Sequence, residues 1–287
     1  MADGQRWGVG SNQYRKRPGR PVWQPPGTEL PSLRSGVTTI VQFESCGITW
    51  NLGAVDLDAV DGDRNVDRAR HRFRARFPDM IWDAARLEGN TFTLPEVRTL
   101  LDGVTVDGRK LEEQEQILAL NAGFNEIDQM VERGEFQLSK QASDRIHSLV
   151  AVHEAVESGH FRGEGSANGG GNVRLSSGGV VEGRITGEGG ADLRAAHERL
   201  LDYLSTEPDP RVRALVYAAS AIRHQFYFDG NKRTAKLMAS GELLMAGYDS
   251  ISVPHSRLHE QNLALDQLFR TDNATALMIL LADCARD

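Results

Sequence analysis

The stretch His224 to Lys236, HQFYFDGNKRTAK, gathers groups that can hold phosphate and move a proton. A helical pattern over about 210–225 stops just before Asp229-Gly230-Asn231, and a second, KRTAKLMASGELLMAG, starts directly after it. The turn between them presents backbone N–H groups at a helix N-terminus, where an anion is favoured. Gly230 permits positive φ or close approach of a ligand to the backbone. Arg233 can fork onto phosphate oxygens, while Lys232 and Lys236 add point charges. Asp229 belongs beside phosphates only if it holds a divalent cation that bridges them. His224 is the residue able to take a proton near neutral pH. Alone, DGNK reads as a capping turn on a polar surface. With a base, a metal carboxylate and an arginine it reads as a nucleotide phosphate-transfer site. The pattern GxxxxGK[ST] is absent, so this is not a Walker A loop.

Such a turn needs a scaffold, and the periodicity from about residue 67 onward is helical. Helices are predicted over DRARHRFRARF and PDMIWDAARLEG, with Pro78 as a first-turn residue and Gly89 as a stop. In TLPEVRTLLDG, Thr93 and Glu96 have capping-box spacing. Further helices are expected at about 110–133, 139–157, 192–206, 210–225, 232–246, 256–270 and 273–285. One interval breaks the pattern: eleven of the 28 residues from Gly163 to Gly190 are glycine. There NVRL and VVEGRIT flank Ser-Ser-Gly-Gly, a four-residue hairpin signal. The fold class is therefore mainly α, with a Gly-rich β-hairpin flap and an extended N-terminal arm. The arm is drawn as residues 1–60, with a short strand over Gly36–Phe43, and the helical domain as 61–287.

Composition limits the function classes. A chain of 287 residues with 40% apolar and 25% charged residues can bury a substantial core. Net charge is −7, which argues against nucleic acid as a partner of the whole molecule. The first 36 residues are basic, six Lys/Arg against two acids, and the run Arg15-Lys16-Arg17 with Arg20 reads as a solvated tail. Cys46 and Cys284 stand at opposite ends and make neither a disulfide framework nor a zinc cluster. No signal-peptide core and no run of about 18 apolar residues is present, so a cytoplasmic protein without membrane spans is expected. His255 and His259 have metal-ligand spacing but no evident third ligand. His147 and His153 read as surface or satisfied core residues.

The motif HQFYFDGNKRTAK resembles the signature of the Fic (Fido) family, HxFx[D/E]GNxRxxR. The resemblance covers about residues 65–285, taking in LEGNTFTLPEV and the GHFRGEG segment before the flap. It implies a helical Fic-type domain that transfers part of a nucleotide, most often AMP from ATP, to a hydroxyl on a target protein. By resemblance His224 is the base, Asp229 binds Mg²⁺, and Gly230 and Asn231 cradle the phosphates. Arg233 meets the outer phosphates, with Lys232 and Lys236 completing the nucleotide-binding set. ATP is then the substrate, Mg²⁺ the metal, and the target protein is unidentified; a homodimer stays open. The Gly-rich segment, about 163–190, is similar to the family's target-docking flap, with Val180 and Val181 facing the target strand.

This sequence departs from the pattern at the decisive place. His224 stands five residues before Asp229 instead of four, and Gln225 holds the fourth position. Either one residue bulges and His224 remains the base, or the register is gapless and Gln225 occupies the base position. One helical step turns a side chain by about 100° and shifts it about 1.5 Å. An amide cannot accept the proton. The first register implies a protein adenylyltransferase. The second implies a degenerate Fic domain that binds nucleotide or a partner without transfer. Lys232 in place of the commoner glycine keeps a third reading, a Doc-like phosphotransferase. Finally, the helix at about 78–88 ends in ARLEGN, which resembles the family's inhibitory [S/T]xxxE[G/N]. Glu88 is the expected inhibitory carboxylate, paired with Lys236 or Arg233, and Ala84 lacks the usual hydroxyl.

Overall fold

Apolar residues recurring at helical spacing build the scaffold, and sequence-coded caps set where its helices start. The computed structural model describes residues 43–286. Within them run α1 (Phe43–Cys46), two 3-10 turns (Leu52–Ala54 and Leu57–Ala59), α2 (Val66–Ala75), α3 (Phe77–Leu87), α4 (Leu94–Leu101), α5 (Leu111–Glu132) and α6 (Lys140–Val150). Next come β1 (Val173–Arg174) and β2 (Val180–Val181), then α7 (Ala191–Thr206), α8 (Pro210–His224), α9 (Asn231–Met245), α10 (Leu258–Thr271) and α11 (Thr275–Asp283). Asn65, Ser139 and Asp209 accept first-turn N–H groups of α2, α6 and α8. Pro78 sits in the first turn of α3, and Thr93 with Glu96 forms the capping box of α4.

Helices α8 and α9 pack closely on each other at the centre. From Ala214 to His224 every residue of α8 is buried, which small side chains such as Ala218, Ala219 and Ser220 allow. Helices α5 and α6 cover α9, and α7 and α11 cover α8. The expected arm and strand over Gly36–Phe43 lie outside the described residues, except Phe43, which begins α1. The core already includes Cys46, Ile48, Trp50, Val55 and Val60, ahead of the boundary drawn at residue 61. Thr49 donates to Asp272 O at 2.8 Å and accepts from Ala274 N at 2.8 Å, stitching this segment to the start of α11. Both cysteines are buried free thiols. Among the described residues no helix is long and apolar enough to cross a membrane.

One expected helix is shorter than its pattern. The 139–157 segment stops at Val150, and the chain folds back so that Gly159 N–H reaches His147 Nδ1 at 2.9 Å. A side-chain acceptor thus replaces the next helical turn. The hairpin is antiparallel, pairing Val173 with Val181 and Arg174 with Val180. Asp266 of α10 holds its turn, accepting from Ser176 N and Oγ and from Ser177 N, each at 2.9 Å, and from Ser177 Oγ.

The flap and the α8–α9 turn share one anchor. Arg162 is 1% exposed, and no carboxylate pairs with it among the described residues. Its Nε donates to Gln225 O at 2.6 Å, Nη1 to Gly169 O and Gly170 O at 3.2 and 2.9 Å, and Nη2 to Arg184 O and His224 O at 3.1 and 3.4 Å. Burial lowers its pKa, yet a guanidinium stays charged. The flap backbone passes so close that a Cβ on Gly171 would lie 2.4 Å from Arg162 Cζ, which requires glycine there. Replacing Arg162 with Met strands several buried carbonyls. We expect a loss of about 3 kcal/mol, or about 9 °C in Tm, measured by thermal unfolding. An unchanged Tm would show that this cluster does not anchor the flap and turn.

Candidate functional site

The turn between α8 and α9 is held from three sides. Asn231 closes it from within: its Oδ1 accepts from Tyr227 N at 2.9 Å, and its Nδ2 donates to Tyr227 O at 2.7 Å and to Gln225 Oε1 at 3.2 Å. From α6, His147 Nε2 donates to Asp229 O at 2.8 Å. Its Nδ1 accepts from Gly159 N, which fixes the tautomer. Burial pushes this imidazole down to about 4, so it stays neutral, stacked 3.7 Å from the Tyr227 ring. His147 is a satisfied core histidine. Gly230 has φ 71°, and a Cβ there would stand 2.7 Å from Ala151 Cβ. Both conformation and space demand glycine.

Beyond Gly230, the amides of Asn231, Lys232 and Arg233 have no carbonyl one turn before them. Thr234 N, bonded to Gly230 O at 2.9 Å, is the next amide to find one. These N–H groups stand at a cavity of about 520 Å³. Its walls include Gln225, Asp229, Lys232 and Arg233 from the turn, Arg174 from the hairpin, and Asn262, Leu265 and Phe269 from α10. Such a cavity combines an anion site at one end with an apolar wall at the other. Of the expected nucleotide set, Gly230, Asn231, Lys232 and Arg233 come together here. Asn231 contributes backbone, because its side chain is spent on the turn.

Asp229 Oδ1 accepts from Gly230 N at 2.6 Å, and the carboxylate is otherwise well exposed. No group of three or more His, Cys, Asp or Glu that could hold a metal ion is present among the described residues, the His255/His259 pair included. Asp229 therefore fits only a cation that brings most of its own ligands.

His224 and Gln225 part company at the helix end. Gln225 takes a left-handed conformation, φ 51° and ψ 59°, as the C-cap of α8. Its amide lines the cavity of about 520 Å³, with Nε2 donating to Ile222 O at 2.7 Å. His224 turns to the opposite side, where its Nδ1 donates to Ser220 O at 2.9 Å and its ring stacks parallel on Phe226. Gly47 lies against it; a Cβ there would be 2.5 Å from the imidazole Cε1. Burial, reinforced by Arg184, Arg223 and Arg199, pushes His224 down to about 4. It borders a separate cavity of about 360 Å³. His224 thus stands away from the cavity at the start of α9, and Gln225 lines it. The Asn231–Tyr227 pair closes the turn, and both Phe226 and Tyr227 are buried behind it.

Glu88 reaches the cavity from the end of α3, and its partner also differs from expectation. Its Oε2 is 3.1 Å from Lys232 Nζ, not paired with Lys236 or Arg233. Burial raises its pKa, but Lys232, Arg233 and Lys236 outweigh that and hold it below the usual range. Arg233 instead donates to Glu154, in the loop after α6, and Nη1 reaches Val150 O at 3.3 Å. No spacing in the sequence marked Glu154, whose position follows from the early end of α6. Lys236 is buried beside a void of about 20 Å³ lined by Ala84, where the family has a hydroxyl. In the flap, Val180 is 60% exposed, whereas Val181 packs against the core.

No family model matches the chain. Over 211 residues it is 27% identical to the protein adenylyltransferase Fic of Culex quinquefasciatus, covering 71% of this chain and 39% of that protein. Against the Drosophila mojavensis protein of the same name it is 25% identical over 269 residues, 91% of this chain and 50% of that one. The chain thus spans about half or less of the length of these curated relatives. Among solved structures, a Fic-domain-containing signaling protein from Bacteroides thetaiotaomicron superposes with a TM-score of 0.62 at 21% identity, covering 80% of this chain and 88% of that one. Fic-1 from C. elegans gives 0.60 at 18% identity, covering 76% and 62%. The fold is the Fic helical fold.

Lys236 makes a pH dependence testable. Burial, opposed by Glu88, pushes its ammonium down to about 8. An anion at the turn favours the charged form, so pyrophosphate affinity is expected to be highest below that pH and to fall as pH rises through it. Lys236→Arg should flatten the profile, because arginine keeps its proton. Calorimetric titrations at about pH 7 and about pH 9 check this; the same affinity at both would remove Lys236 from the site.

Proposed function

We propose that this chain is a Fic-family protein, that it binds ATP by its phosphates at the α8–α9 turn, and that it transfers AMP to a hydroxyl on a target protein. The observation that carries the reading is the N-terminus of α9: three amides behind Gly230 with no helical carbonyl one turn before them, and Lys232 and Arg233 lining one cavity, with Lys236 buried one turn further on. A polyphosphate meets N–H donors, the helix dipole and cations at once. Leu265 and Phe269 offer an apolar wall for a base and Asn262 an amide to orient it. The likeness to relatives named protein adenylyltransferase supports AMP as the group moved.

Asp229 is the residue that would hold Mg²⁺. One exposed carboxylate, with the remaining positions left to phosphate and water, suits this ion better than a protein cage would. Bound there, Mg²⁺ would neutralise phosphate charge. Positioning and electrostatics supply most of the catalysis in phosphoryl transfer, and this chain has those parts. On the acceptor side Gln225 can orient a hydroxyl through its amide but cannot remove the proton, a deficit of about 10²–10⁴ in rate. Val180, exposed on the hairpin, is the residue to meet a target segment added as a strand. Glu88, salt-bridged to Lys232, occupies charge that a γ-phosphate would use, and we assign it the restraining role.

The amide of Gln225 also favours a second reading, a domain that binds nucleotide and transfers nothing. The two separate with the Glu88→Gly protein, Mg²⁺, ATP labelled at the α- or γ-phosphate, and cell lysate as the source of acceptor. We expect α-label on protein above the level of the unsubstituted chain. Adding Gln225→His should raise it at least about tenfold, and adding His224→Ala should leave it unchanged. Label from the γ-position alone would point to a phosphotransferase. ATP binding without label, even with Gln225→His, would favour the second reading. Failure to bind ATP would sink both.

A further inference from the structure

We infer that Glu154 is a second carboxylate restraining the phosphate site, and that Gln116 and Asn90 tie it to the turn that carries Glu88. The inference rests on the nucleotide reading above and extends it to a residue outside the motif. The Arg233 guanidinium is 3% exposed and is already engaged: Nη2 donates to Glu154 Oε2, and Nη1 to Val150 O. Asp229 Oδ1 stands 3.7 Å from the same Nη2, and Nε is buried without a hydrogen-bond partner among the described residues. A phosphate oxygen arriving at the turn therefore competes with Glu154 for one edge of this arginine.

The other oxygen of Glu154 leads away from the site along an unbroken line of hydrogen bonds. Gln116 Nε2, on α5, donates to Glu154 Oε1 at 2.5 Å. Gln116 Oε1 accepts from Asn90 Nδ2 at 2.9 Å, and the same Nδ2 lies 2.9 Å from Glu113 O. Asn90 is buried; its Oδ1 accepts from Phe92 N at 3.0 Å and its carbonyl from Arg86 at 2.7 Å. Two residues earlier stands Glu88, joined through Gly89 at φ 91°. The arginine that meets phosphate and the turn bearing the other restraining carboxylate are thus ends of one chain of contacts.

Charge makes the two ends act together. Glu88 and Glu154 both border a cavity of about 190 Å³ whose wall also carries Glu112, Glu113, Glu115 and His153. While Lys232 and Arg233 neutralise them, the two carboxylates tolerate this setting. When phosphate takes both cations, Glu88 and Glu154 face each other and three more acids unneutralised, and the Glu88 turn is driven outward.

Two substitutions divide the inference. Glu154→Gln keeps an acceptor for Gln116 but removes the charge, so ATP affinity measured by calorimetry should tighten about tenfold. Glu154→Ala also cuts the line, so without any nucleotide the amides of Thr91 and Phe92 should exchange hydrogen faster. In Glu154→Gln they should exchange as in the unsubstituted chain. Thermal unfolding confirms that each variant is folded before either comparison. Equal or weaker ATP binding by Glu154→Gln would overturn the restraint and make Glu154 a support for Arg233. Unchanged exchange in Glu154→Ala would overturn the tie to Glu88. If ATP binds to no variant, Glu88→Gly included, the nucleotide reading fails, and the exchange comparison alone upholds or overturns the tie.

Discussion

A single buried cation, Arg162, holds together the parts on which the site depends. It has no carboxylate partner among the described residues; five backbone carbonyls take its place, two from the end of α8 and three from the flap. A guanidinium suits this task because its planar fork offers five donors in fixed directions. The last carbonyls of a helix are unsatisfied and partly negative, so Arg162 caps α8 while it draws the flap over the turn. Its own N–H donates to Phe226 O at 2.8 Å, fixing the next residue of the same turn. Without that cap, the left-handed Gln225 would have less reason to hold its conformation.

From that constraint follows the division between His224 and Gln225. Adjacent residues at a helix end point in different directions, and here they border different cavities. The imidazole is shut between Phe226 and Gly47, surrounded by arginines, and kept neutral. The amide faces the amides of α9. In the proposed reaction, chemistry on the acceptor side would be set by which of the two neighbours the α8 cap turns toward the start of α9.

At the start of α9 the balance is between cations and carboxylates. Lys232 is salt-bridged to Glu88 and Arg233 to Glu154, so the charges that would meet a nucleotide are already met by the protein. Lys236 is buried close by, and burial lowers its pKa to about 8. A ligand entering here exchanges one set of charge pairs for another, which keeps the net gain small and open to adjustment from α3 and α5.

Local chemistry in the sequence determined a large part of this. Pro78, Thr93 with Glu96, Pro210 and the apolar periods placed helix starts, because caps and burial stripes act over one or two turns. The glycines of 163–190 announced a hairpin flap, and DGNK announced a helix start behind a left-handed glycine, since both depend on backbone conformations few residues adopt. The early end of α6 was not legible, because it follows from Gly159 bonding to His147 after the chain folds back. Nor was the partner of Arg233, because Glu154 is brought there by that same reversal. Whether His224 or Gln225 borders the cavity at the start of α9 was likewise open in the sequence. Spacing allows either register, and only the tertiary contacts of Asn231, Arg162 and Gly47 select one.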